Sequence, residues 1–90
     1  MQEYCARINV RLKPGILDPQ GKAIEHALHS LGFENIREVH SGKFFELTIH
    51  ARSSREAEEI ARKSCEKLLA NPVIESYTVE ILQNKRNGKA

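Results

Sequence analysis

The sequence predicts an α+β fold, a single two-layer sandwich in which a four-stranded antiparallel sheet carries two helices on one face. Three observations point to it. Apolar residues recur at every second position over 3–13 and 44–51, the period of a strand covered on one side only. They recur at i, i+3, i+4 and i+7 from Pro19 to Leu31, the period of an amphipathic helix. Ser53-x-x-Glu56 supplies a capping box, the opening of a second helix.

The elements follow in order. Over 3–13, Tyr4, Ala6, Ile8, Val10 and Leu12 share one face; Glu3, Cys5, Arg7, Asn9, Arg11 and Lys13 share the other. Lys13 to Gly21 is a shaped loop with two prolines and two glycines, running directly into a helix start. Asp18 is the N-cap, and Pro19 fits the next position, where its missing N–H costs nothing. Gly21 falls in the first turn, where glycine costs up to about 1 kcal/mol relative to alanine. Either something approaches the backbone closely there, or glycine is cheap because the hydrogen-bond ladder has not begun. The helix presents Ile24, Ala27, Leu28 and Leu31, and Gly32 stops it where a left-handed cap is wanted.

Residues 34–41 read as a weaker strand, with Ser41-Gly42 as a hairpin turn. In the next strand, Phe45, Leu47, Ile49 and Ala51 face one way; Phe44, Glu46, Thr48 and His50 face the other. The second helix is expected to bury Ala57, Ile60, Ala61, Ser64 or Cys65, and Leu68, and Asn71-Pro72 ends it. A last strand over 73–82 turns Tyr77, Val79 and Ile81 inward. The order β-α-β-β-α-β, with both crossovers on one side, is that of a ferredoxin-like sandwich.

Ninety residues make one domain, which buries roughly 60–65% of its unfolded surface. That leaves little interior for a deep cleft and favours oligomerisation. The net charge of +2 belongs to the end of the chain: without Lys85, Arg86 and Lys89 the body stands at −1. The domain is therefore 1–83 and the basic tail 84–90 is expected to be disordered, so neither nucleic acid nor membrane is expected as a partner. No apolar stretch nears the roughly 20 residues of a membrane span, and the polar N-terminus is no signal peptide. Two cysteines make no disulfide framework, and with no secretory signal a reduced cytoplasmic setting is expected.

No reactive constellation emerges. His26 and His29 share the i, i+3 spacing of a metal pair but lack a third ligand nearby, and zinc wants three or four. His40 and His50 are strand residues; Cys5 and Cys65 are small fillers, neither at a helix N-terminus that would favour a thiolate. No phosphate-cradling loop or nucleophile elbow is present. Catalytic, cofactor-binding and metal-ligating residues are thus expected to be absent from this chain. The face left open by the helices carries Cys5, Arg7, Asn9, Phe44, Thr48 and His50, and is the candidate for self-association into a homodimer or higher oligomer.

The string Val10-x-Leu12-Lys13-Pro14-Gly15-Ile16-Leu17-Asp18-Pro19-Gln20-Gly21 has counterparts in one family, as do Ala23-Ile24, Ala27-Leu28, Leu31-Gly32-Phe33, Gly42-Lys43 and Glu46-Leu47. Through these the chain resembles, over nearly its whole length, the PurS family, the small S subunit of phosphoribosylformylglycinamidine synthase. The resemblance implies a non-catalytic subunit that joins a glutaminase subunit to a large synthetase subunit. That complex uses ATP, Mg and glutamine in the fourth step of purine synthesis, and no cofactor is expected on this chain alone. The loop residues Lys13, Pro14, Gly15, Leu17, Asp18, Pro19, Gln20 and Gly21 are the expected partner contact, with free N–H groups after Asp18 offering hydrogen bonds. Two other classes compete. A stand-alone amino-acid-binding regulatory module would hold a carboxylate on a helix N-terminus. RNA binding would need paired aromatics on the open face, where Arg7 and Asn9 stand instead.

Overall fold

The longest alternating run becomes the middle of the sheet. In the computed structural model, which describes residues 1–83, β1 (Gln2–Leu12) lies between β2 (Gly42–Ala51) and β3 (Glu75–Gln83), antiparallel to both. The register sets Ile8 opposite Phe45 and Val79, so apolar positions of all three strands reach one face. Tyr4, Ala6, Ile8, Val10 and Ile49 are buried there, and Phe45, Leu47, Val79 and Ile81 pack around them. Burying a side chain such as Ile8 or Val10 contributes roughly 1.5–3 kcal/mol.

The cover over that face is α2 (Ser54–Ser64), through Ala57 and Ala61, both fully buried. Small side chains let the helix settle close to the sheet. The expected capping box forms: Glu56 N–H donates to Ser53 Oγ at 3.2 Å, and the Glu56 carboxylate accepts from the Arg52 N–H at 2.7 Å. The helix then widens into a π-helical turn, Cys65–Leu69, closed by the Ala70 N–H on the Cys65 carbonyl at 3.0 Å. This corrects two expected core positions. The wide turn keeps Cys65 and Leu69 on the inner face, so Leu68 is 82% exposed; Ile60 sits on the flank of the 57–61–65 stripe.

The four-stranded sheet is also corrected, to three strands, because residues 34–41 form no strand. Their polar groups are engaged elsewhere. α1 (Pro19–Ser30) runs out from the sheet and ends in a Schellman cap, with Gly32 at φ +99° and the Phe33 N–H on the Leu28 carbonyl at 2.9 Å. The chain then returns along the helix. His29 Nε2–H donates to the Ile36 carbonyl at 2.6 Å, the Val39 carbonyl lies over Gly21, and the Ser41 N–H donates to Asp18 at 2.9 Å. Residues 14–41 thus form an arm beside the sheet. Only Gly21 of α1 is buried, whereas the sequence expectation had two helices covering one face. Among the described residues no helix is long and apolar enough to cross a membrane. The expected basic tail, 84–90, lies outside the described residues.

Candidate functional site

The loop between β1 and α1 is fixed at both ends by its own chain. At its start, the Lys13 N–H donates to the Ile74 carbonyl at 2.8 Å and Lys13 Nζ to the Pro72 carbonyl at 2.7 Å. Gly15 takes φ +88°, which only glycine adopts without strain. At its end, Asp18 caps α1 by accepting from the Gly21 N–H at 2.9 Å, while accepting from both the N–H and the Oγ–H of Ser41 at 2.9 and 3.0 Å. These donors, the Ser41 N–H first and the Gly21 N–H second, hold the Asp18 carboxyl below its ordinary value.

That geometry decides the two readings of Gly21. A Cβ there would stand 2.3 Å from the Val39 carbonyl oxygen and 2.6 Å from Asp18 Oδ2. Close approach is real, and it comes from within the chain. Two of the N–H groups after Asp18 are likewise engaged internally, Gly21 on the carboxylate and Lys22 on the Asp18 carbonyl at 3.0 Å. Of the eight loop residues proposed for partner contact, Lys13, Asp18 and Gly21 therefore bind their own chain. Pro14, Gly15, Leu17, Pro19 and Gln20 are exposed, and Leu17 most conspicuously, at 73%. The loop borders a shallow cleft of about 210 Å³ with Arg11, His40 and Ser41.

The register gathers Cys5, Arg7, Asn9, Phe44, Thr48 and His50 on the open sheet face, pairing Cys5 with Thr48 and Asn9 with Phe44. The face is mostly polar, and two of its side chains find partners on it: Arg7 Nε lies 3.3 Å from Glu46 Oε2, and His50 Nε2 3.1 Å from Glu3 Oε2. Phe44 is its exposed aromatic, at 54%, and further apolar exposure lies on the arm. Leu31 is 73% exposed, with Phe33 and Ile24 also open. Periodicity marks Ile24 and Leu31 as one side of a helix but cannot say whether anything covers it.

The histidines do not converge on each other. His29 is tied to Ile36, His40 to Glu38 at 3.3 Å and His50 to Glu3. Among the described residues no group of three or more His, Cys, Asp or Glu is placed to hold a metal ion. Cys65 is fully buried and burial raises its thiol pKa, the opposite of what a nucleophile needs. Ser41 is the functional-site residue the sequence reading missed; a turn serine carries no signal that it will bind a carboxylate 23 residues away.

Residues 5–83 match the family model PurS, phosphoribosylformylglycinamidine (FGAM) synthase. The chain is 46% identical over 78 residues to the phosphoribosylformylglycinamidine synthase subunit PurS of Bacillus subtilis, spanning 87% of this chain and 92% of that one. Its backbone is similar to the crystal structure of Methanocaldococcus jannaschii PurS, one of the subunits of formylglycinamide ribonucleotide amidotransferase (38% identity, TM-score 0.81, 89% of this chain and 96% of that one). It also matches a chain in the structure of PurLQS from Thermotoga maritima (34% identity, TM-score 0.84, 91% of this chain and 100% of that one).

Proposed function

The chain belongs to the PurS family, and from that premise we propose that it is the bridging subunit of phosphoribosylformylglycinamidine synthase, a ligase complex of purine biosynthesis. It joins a glutaminase subunit to a large synthetase subunit and carries no catalytic residue of its own. The complex, working in the cytoplasm, takes glutamine, ATP and Mg through those other subunits. Holding two active sites in register supplies the effective concentration that free ammonia in water lacks.

The observation that carries this reading is the arm. Side chains such as Leu17, Leu31 and Phe33 stay open while Asp18 and His29 beneath them are satisfied internally. A rigid support presenting apolar surface is built to be covered. The arm is the better candidate for self-association than the sheet face, where Arg7 and His50 already have partners in Glu46 and Glu3. An amino-acid-binding module would need the first-turn N–H groups of α1 for the ligand carboxylate, and Asp18 fills that position.

The test is reconstitution. The tagged chain retains both larger subunits, and glutamine-dependent turnover requires all three. Turnover by the lone polypeptide, or full glutamine-dependent turnover without it, defeats the proposal.

A further inference from the structure

Two arginines stand on the open sheet face, and their surroundings differ. Arg7 shares its row with Glu46 on β2 and Glu80 on β3, and is paired with Glu46. Arg11, four residues on, is flanked by Gly42 and Ser76, neither of which carries charge. Among the described residues its guanidinium has no hydrogen bond or ion pair, and the residue is exposed. Gly42 keeps that flank clear: a Cβ there would meet the Val10 carbonyl oxygen at 2.6 Å and Arg11 Cγ at 3.7 Å. The neighbouring row is Phe44, Asn9 and Thr78, with Phe44 54% exposed. Asn9, Arg11, Phe44 and Thr78, with His40 and Ser41, line an open groove of about 510 Å³. His40 is already near Glu38, and Lys43 is paired with Glu75 at 3.4 Å.

We propose that this groove seats an acidic segment of a partner subunit, one carboxylate taken by the Arg11 fork and an adjoining apolar residue resting on Phe44. The inference rests on the assembly reading above. A guanidinium binds a carboxylate through two parallel N–H donors, which fixes orientation as well as charge. Arginine and large aromatics are the side chains that dominate binding energy where chains meet. A small-molecule site encloses most of its ligand; this groove is open along its length and suits a passing chain.

Association of the full chain with the two larger subunits provides the test, with Arg11→Ala, Arg11→Lys and Phe44→Ala compared against Arg55→Ala, an exposed arginine on α2 at the opposite face of the sheet. The three groove variants keep the wild-type melting curve and weaken association at least tenfold, and Arg11→Ala flattens its salt dependence; Arg55→Ala changes neither. Unaltered affinity of Arg11→Ala overturns the proposal. So does Arg11-dependent binding of inorganic phosphate to the free chain with assembly untouched, which would assign the groove to a small anion. A change in the free chain's oligomeric state in Arg11→Ala would assign it to a second copy and overturn it as well. If the unmodified chain fails to associate at all, the assembly reading itself falls.

Discussion

The body of the molecule and its arm are held together by different forces. In the body, β1 to β3 and α2 enclose Ala6, Ile8, Val10, Ala57, Ala61 and Cys65, none more than 1% exposed. In the arm, α1 and the returning segment meet through directional contacts at Asp18, Gly21 and His29, while apolar side chains point outward. Burial stabilises in proportion to area and hydrogen bonds fix geometry at a modest net gain of about 1 kcal/mol each. The body therefore supplies stability, and the arm supplies a shaped surface with apolar side chains left open.

The contrast is broken most forcefully by core truncation. Ile8→Ala should cost about 2–5 kcal/mol in urea unfolding, whereas Leu31→Ala should stay within about 0.5 kcal/mol in dilute solution yet weaken self-association on a dilution series. Equal losses in dilute monomer would show that the arm shares the core. A smaller effect is expected at the hinge between the two regions. Gly21→Ala drives a methyl into the Val39 carbonyl and should destabilise by about 1–3 kcal/mol, with amide exchange quickening more in α1 than in β1. Uniform quickening would mean the arm and body unfold as one unit.

The smallest effect should be the acid response of Asp18. Its folded pKa lies below the ordinary 3.8, so its contribution is present above that value and is lost as pH falls through the lower folded one. Stability measured downward from about pH 4 should therefore fall less steeply in Asp18→Asn than in the parent. An identical slope would deny the carboxylate its role in pinning Ser41.

Strand periodicity was legible because a period of two admits only one burial pattern; β1 alternates along its length, and β2 and β3 do so except at Gly42–Phe44 and Leu82. Helix ends were legible for a similar reason: Asp18, Ser53 and Gly32 act on backbone groups within three or four residues. Residues 34–41 form no strand: Ile36 and Val39 stand three apart and set no period of two, and the partner their backbone takes lies on α1. Leu68 failed likewise, since a π-helical turn is set by how α2 seats on the sheet. Of the site, the loop residues were found and their internal bonds were not.

By itself the sequence determined the three strands, both helices with their caps, the inward faces of the strands and the family. Each depends on neighbours within a few positions, or on a string of residues read directly. The tertiary structure decided that α1 leaves the sheet, that Asp18 binds Ser41, and that Arg11 stands uncompensated beside Phe44. Those outcomes depend on which distant segments meet, and contacts across 20 to 60 residues of chain leave no local pattern to read.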